Sequence, residues 1–269
     1  MLAEILSRFG LPAHPTAVLV GGGLIATRVL ALLTFVPVFG VRSLPAPLRV
    51  ALAIALAVVL YPAVSGSPIP TAPIAIVTLV AKEVLVGATL GFVVALAFAA
   101  LDMAGRLVDT TRGATLAEVL DPLSGERTSP LAELHVQVGL LCFLALGGQR
   151  AVVVALAHSY ETVPLATFPS ATRALAPLAG GVIRLSADAI AVALVLAAPA
   201  LVALYLSEVA LGLLGRAAPQ IGVFFVGMPL RAAVGLFAVL LALSAMTPAL
   251  AHLFEAALDA ASRMPASFR

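Results

Sequence analysis

Charge is what this sequence has least of. Asp, Glu, Lys and Arg make up 10% of its 269 residues, while 62% are hydrophobic and the mean hydropathy is +1.16. Soluble domains carry about 25% charged residues, so a chain of this length could bury a large core but could not cover it with a water-facing surface. A soluble globular domain is excluded, and an integral membrane protein, or part of an assembly that behaves like one, is implied. Lysine is nearly absent, Lys82 standing alone among 15 basic residues. The net charge of +2 is too small to imply a nucleic-acid partner. A single cysteine, Cys142, excludes an intrachain disulfide; within LLCFL it reads as a small buried hydrophobe.

Catalytic motifs are missing as well. The chain has no His-Glu-x-x-His, Gly-x-Ser-x-Gly, Walker lysine loop or Gly-x-Gly-x-x-Gly. Without a nucleophile motif an intramembrane hydrolase is disfavoured, and neither an enzyme nor a cofactor is expected. The histidines His14, His135, His158 and His252 have no second ligand at helical spacing, which argues against a metal site. His158 beside Ser159-Tyr160 allows a proton relay, but a satisfied histidine at a helix end is the simpler reading. At the N-terminus, Glu4 and Arg8 precede Leu11-Pro12, and the apolar run from Ala17 has no small-residue cleavage site. That run reads as a retained helix rather than a cleaved signal.

What the chain does have is a succession of apolar runs, to be set against the roughly 20 residues that cross a bilayer. Residues 17–39 suffice but hold Arg28 in their middle. Residues 50–64 are clean but short. Residues 71–104 are long and carry Lys82 and Glu83. Residues 134–146 and 151–157 flank GGQR, residues 174–214 contain Arg184, Asp188, Pro199 and Glu208, and residues 222–250 close the series. Barrel strands would alternate outward-apolar and inward-polar over about ten residues; these runs are continuous and rich in Ala and Leu. The expected fold class is therefore all-α, a polytopic membrane-type protein of long, partly broken helices and hairpins.

A charge at the centre of a span costs several kcal/mol and normally faces protein or water, so many of these helices should pack against protein. Lys82 and Glu83 are neighbours in sequence, point about 100° apart on a helix and should not face each other. Glu208 has no basic partner within a turn, so an ion pair or hydrogen bond across subunits is the favoured reading for such charges. The alternative from another class is a small-solute or ion carrier whose site uses Lys82, Glu83 and Glu208. Gly87, Gly91, Ala95 and Ala99 recur every four residues and offer a face of minimal side chains for close helix packing. A Pro-Leu-Arg echo at 47–49 and 229–231 is too short to establish a repeat.

Two polar stretches punctuate the chain. The first, residues 109–130, reads DTTRGATLAEVLDPLSGERTSP. Asp102, Arg106 and Asp109 lead into it along one helix face. Arg112-Gly113 can break or bend the helix, Leu116, Val119 and Leu120 make an apolar patch, and Asp121-Pro122 with Ser124-Gly125 is turn chemistry. Thr128 or Ser129 can cap the next helix, with Pro130 in its first turn and Glu133 at that turn's end. An ordered loop is expected. The second stretch, GRAAPQIGVFFVGMPLR at 215–231, reads as a hairpin tip, Pro219 and Pro229 bracketing an apolar centre between Arg216 and Arg231. Such basic residues favour the cytoplasmic side.

In this order and separation, the two stretches resemble the FliR/SctT family of type III export-gate subunits. APQIGVFFVGMPLR (218–231) is similar to that family's C-terminal signature, and AGRLVDTTRGATLAEVLDPLSGERTSP (104–130) to its central loop. Weaker similarity covers RVLALLTFVPVFG (28–40), KEVLVGATLGF (82–92) and GGQR…HSYETVP (147–164). Arg-Gly-Ala, Asp-Pro and Arg-Thr-Ser-Pro look more like the injectisome branch than the flagellar one, while Gly215 and Gly222 stand where the family often has asparagine.

The resemblance implies one subunit of four segments: N-terminal helices (1–104), a plug-like loop (105–130), middle helices (131–172) and a C-terminal helical hairpin (173–269). It implies partners of the FliP/SctR, FliQ/SctS and FlhB/SctU types, membrane lipid, and unfolded secreted proteins passing through a pore in the bacterial inner membrane. Export would be driven by the proton-motive force and a separate ATPase. Carried over by position, Arg112, Gly113, Leu116, Val119, Leu120, Asp121, Pro122, Gly125 and Arg127 form the pore plug. Arg216, Pro219, Gln220, Phe224, Phe225, Pro229 and Arg231 form the tip that meets partners.

Overall fold

A computed structural model describes residues 15–40, 44–64, 72–113, 129–167, 171–220 and 222–263. Among them the chain forms seven helices: α1 (Pro15–Phe35), α2 (Ala46–Val64), α3 (Pro73–Arg112), α4 (Pro130–Ala145), α5 (Gly148–Thr162), α6 (Ala171–Ala217) and α7 (Val223–Arg263). Proline and glycine set most of the boundaries. Pro15, Pro73 and Pro130 open their helices, at the position where a missing N–H costs nothing. Val36-Pro37 and Val163-Pro164 stop α1 and α5, because the residue before proline is pushed out of the helical region. Gly113 ends α3 at φ 84°, and Gly147 separates α4 from α5 at φ 74°, left-handed backbone that glycine adopts without a Cβ penalty.

Five helices, α1, α2, α3, α6 and α7, contain stretches long and apolar enough to cross a membrane, and the broken pair α4–α5 makes a sixth if counted as one span. α3, α6 and α7 have 40, 47 and 41 residues, contour lengths of about 60–70 Å at 1.5 Å per residue. That is about twice the roughly 30 Å of a hydrocarbon core. Helices of this length extend well beyond what a single crossing uses. α3 also carries on past residue 104 to Arg112, so the first part of the expected loop is helix.

The chain divides into two compact units. The first comprises Met1–Leu96, Gly147–Leu185 and Glu255–Arg269. Here α1 lies against α3 at Gly87 and Gly91, where an added Cβ would run into the backbone carbonyls of Arg28 and Leu32. Ile25, Val29, Val86 and Leu90 are buried around this crossing. Ala95, on the same row, is half-buried.

The second unit comprises Ala97–Leu146 and Ser186–Phe254. Phe98, Phe143 and Phe254 form a triangle of edge-on or tilted rings with centroids 5.2–5.5 Å apart, an arrangement suited to the ring quadrupoles. Gly105 passes so close to Ala132 that a side chain there would overlap the α4 backbone. Ala99 is half-buried in this unit. In both units apolar side chains also face outward: Val58, Val59 and Ile74 in the first, Val195, Leu206 and Phe237 in the second. Such a surface suits lipid or other protein, not water.

Replacing Gly87 by alanine should drive α1 off α3 and destabilise the protein by about 1–3 kcal/mol. Gly22→Ala, on a helix position with open space around it, should be neutral or stabilising by up to about 1 kcal/mol. Thermal unfolding of the two variants in the same detergent distinguishes a packing glycine from a tolerated one.

Candidate functional site

Among the described residues the buried charges, Arg28, Lys82, Glu83 and Asp109, lie where helices meet. In the first unit, Arg28 of α1 and Glu83 of α3 are both 0% exposed. Arg28 Nε donates to Glu83 Oε2, and Nη2 donates to Oε1 at 3.1 Å, a bidentate charge-assisted pair. The remaining guanidinium donors reach α5 and the turn after it: Nη1 to Ser159 Oγ at 2.9 Å and Nη2 to the Val163 carbonyl at 2.9 Å. The Tyr160 ring lies 4.0 Å from Arg28 Cζ, a cation–π contact. Lys82 Nζ donates to the carbonyls of Pro164 and Leu165, each at 2.8 Å, and pairs with Glu83 Oε1 at 2.8 Å.

This overturns the expectation that Lys82 and Glu83 do not face each other. Their Cβ atoms diverge, but the four-carbon lysine stem bends its ammonium back onto the carboxylate. Two cations thus share one carboxylate, and carbonyls beyond the C-terminal end of α5 supply the rest of the negative potential. The site is saturated: Lys82 uses three donors, which is all an ammonium has. His158 sits apart from it, exposed, with Nδ1 3.1 Å from Glu161 Oε2 in the last turn of α5. Ser159 and Tyr160 turn instead toward Arg28, so His158 is a helix-end histidine and no relay runs through the triplet.

The second junction lies at the base of the central loop, in the second unit. Asp109 is 2% exposed. Its Oδ1 accepts from Arg112 Nε at 2.6 Å, and its Oδ2 accepts from Ser129 Oγ and from the Leu131 backbone N–H at 2.9 Å. The expected charged face therefore splits. Arg106 pairs with Asp102 at 2.6 Å on the exposed side, while Asp109 turns inward. Ser129 does occupy the N-cap of α4 but makes no side-chain cap bond; the carboxylate of α3 caps α4 in its place, because it is the stronger acceptor and already buried there. Leu116, Val119, Leu120, Asp121, Pro122, Gly125, Arg127 and Thr128 lie outside the described residues.

The third is the hairpin of α6 and α7. α6 runs to Ala217 and α7 starts at Val223, so Val223–Val226 already form the first turn of α7 and Pro229 lies inside that helix, leaving less of the stretch to the tip than expected. The Phe225 N–H bonds the Gly222 carbonyl at 2.9 Å. Gly215 lets the arms close up: a Cβ there would come within 3.2 Å of Val223 Cγ2. Arg216, Pro219 and Gln220 are exposed, and Phe225 is 80% exposed; Phe224 occupies the first turn of α7. Glu208 pairs with Arg231 at 3.1 Å, so its partner comes from the facing arm of the same chain and not from another subunit. Cys142 is half-buried.

Sequence reasoning located Arg28, Lys82, Glu83 and Glu208 but not their partners, and it read Asp109 as part of a charged face and Ser159 only as a neighbour of His158. The usable signal was arithmetic: one carboxylate and two cations within the N-terminal apolar runs must find one another. Glu83→Ala should strand two buried cations and cost about 3–5 kcal/mol. Arg28→Lys, which keeps the charge but loses the fork, should cost less. Melting temperatures in detergent test that order.

The chain matches the family model described as bacterial export proteins, family 1, over residues 19–257. It is 32% identical to the flagellar biosynthetic protein FliR of Pectobacterium carotovorum over 234 residues, 86% of this chain and 87% of that relative. It is 34% identical to the Yop proteins translocation protein T of Yersinia pestis over 214 residues, 78% of this chain and 81% of the relative. The surface presentation of antigens protein SpaR of Salmonella typhimurium is 31% identical over 221 residues, 82% of each. Flagellar and injectisome relatives stand at similar identity, so identity does not separate the two branches. A match over most of the chain, with five helices among the described residues long and apolar enough to cross a membrane, makes this chain a member of the FliR/SctT family of bacterial export proteins, a multi-pass, non-enzymatic membrane component of a type III export apparatus.

Proposed function

We propose that this subunit helps build a gated channel for unfolded proteins in the bacterial inner membrane, and that its central segment, residues 112–130, closes the pore when no substrate is passing. FliP/SctR-like, FliQ/SctS-like and FlhB/SctU-like subunits complete the assembly. Helices of up to 47 residues and outward apolar faces in both units support a role among other helices.

One observation carries the gate reading. The segment leaves α3 and enters α4 at a single place, where Asp109 holds the Leu131 amide at 2.9 Å and Gly105 meets the Ala132 backbone. A connector bridging distant elements needs no such joined ends, whereas a loop that projects as a unit does. A pore plug must be stable when idle and displaceable by a passing chain, so its closure has to rest on a few modest contacts. The apolar patch Leu116, Val119 and Leu120 supplies them.

The carrier alternative loses its site. Lys82 and Glu83 are saturated within one unit, and Glu208 pairs with Arg231 in the other. The injectisome branch is favoured by Arg-Gly-Ala, Asp-Pro and Arg-Thr-Ser-Pro in the central segment, and rescue of a secretion-deficient rather than a flagella-deficient host should follow.

Deleting residues 116–120 should leave assembly with the partner subunits intact and raise ion conductance of the idle complex at least tenfold in planar bilayers. Conductance at the wild-type level in the assembled deletion variant would rule the plug out.

A further inference from the structure

Two glycines of α1 leave room that no neighbour takes up. At Gly87 and Gly91 the missing side chain admits the α1 backbone, whereas a Cβ added at Gly22 or Gly23 would meet nothing within 4 Å. The space beside them is a cavity of about 460 Å³ between α1 and α2, within the first unit. Its lining runs from Val18 to Ala26 on α1 and from Ile54 to Pro62 on α2, with no charged side chain among the described residues. Ala57 and Tyr61 form the floor, 3% and 4% exposed, while Leu19, Ile54 and Val58 stand on the rim, each more than half exposed.

Tyr61 is the one polar side chain in this lining, and its hydroxyl makes no hydrogen bond among the described residues. Buried tyrosine hydroxyls normally have a partner, so the missing one belongs to whatever fills the cavity. The two lining stretches lie at matching distances from the connection between the helices, as in an antiparallel pair, and each rises about 12 Å. They start near the outer ends of the apolar stretches, Val18 of α1 and Val64 of α2, and stop near the middle of both. The cavity thus follows the hydrocarbon of one leaflet, about 15 Å deep, with Tyr61 toward the interface, the level at which tyrosine is enriched. Spread over that length, the volume leaves a cross-section of about 40 Å², half that of a helix about 10 Å across. A partner helix does not fit within it; extended hydrocarbon does.

We propose that the α1–α2 cavity binds one acyl chain of a membrane phospholipid, the Tyr61 hydroxyl donating to an ester carbonyl of the lipid. The inference is independent of how the pore closes. Burial from water gives the chain no advantage here, since bulk lipid is equally apolar; retention comes from close packing against Gly22, Gly23 and Ala57 and from the hydrogen bond. Without a cation in the lining, the site selects for chain and ester and not for headgroup.

The test uses the complex assembled with its partner subunits, delipidated in mild detergent and titrated with phosphatidylethanolamine or with phosphatidylglycerol, the lipid-bound states being counted by native mass spectrometry. Wild type should show one high-affinity lipid, held equally well with either headgroup. Gly23→Leu fills the cavity and should weaken that binding at least tenfold. Tyr61→Phe keeps the ring and should weaken it about fivefold, the worth of one neutral hydrogen bond. Gly180→Leu, at another helical glycine with open space around it, should leave it unchanged. Tyr61→Phe carries the test if Gly23→Leu does not fold. Equal binding in wild type and Gly23→Leu, or in wild type and Tyr61→Phe, would overturn the site. So would a Gly23→Leu chain that folds but no longer joins its partners while Gly180→Leu still does, because the cavity would then be a protein contact. A tenfold preference for one headgroup would overturn the assignment to chain and ester.

Discussion

Pairing of buried charge is the constraint on which the rest of this structure depends. With 10% charged residues and an apolar surround, a charge buried between helices has no water to turn to, and left unpaired it costs several kcal/mol. Glu83 meets that constraint by holding two cations at once, and Arg28 by spending its donors on three elements: α3, α5 and the turn beyond α5. The result fixes where α1, α3 and α5 meet. Apolar packing alone would do so weakly, since helices of Ala, Val and Leu slide past one another with little penalty, whereas a fork of hydrogen bonds admits one register.

Glycine complements the charges. The α1–α3 crossing in the first unit and the α3–α4 crossing in the second both place a glycine against the opposing backbone, at Gly87 and Gly91 in one case and Gly105 in the other. Close approach increases dispersion contact where no hydrophobic effect operates between helices in lipid. It also brings polar side chains within reach of neighbouring backbone: Gly105 against Ala132 lies one turn from Asp109, and that proximity allows a carboxylate on α3 to cap α4. Close packing and polar satisfaction are thus one arrangement seen at two positions.

Several elements could be read from the sequence because they are local. Pro130 opens α4, Arg112-Gly113 interrupts the helix as expected though α3 runs on past residue 104 to reach it, and His158 settles at a helix end, all from residues within a turn of one another. The readings that failed share a different feature. Lys82 and Glu83 were judged by the 100° between adjacent helical positions, which describes Cβ directions and not the reach of a lysine. Glu208 was searched for partners within a turn, and its partner is 23 residues on, at Arg231. Thr128 or Ser129 was expected to cap α4; Ser129 stands at the N-cap, but a carboxylate from another helix takes the amide its hydroxyl would have bound. Pro229 was taken as a bracket of the turn, but helix α7 runs through it.

The export family was legible only as a resemblance carried by the two polar stretches; composition, apolar run length and the placement of proline and glycine determined by themselves that this is a helical membrane protein. Those features act through solvation and backbone sterics, which depend only on neighbouring residues. Tertiary structure alone decided which charges meet, which carboxylate caps α4, and which helix Arg112 packs against. Arg28 and Ser159 are 131 residues apart, and Arg112 meets Gly235 from another helix. No periodicity encodes such meetings, because they follow from how closely the helices approach one another and from which buried groups remain to be satisfied when they do.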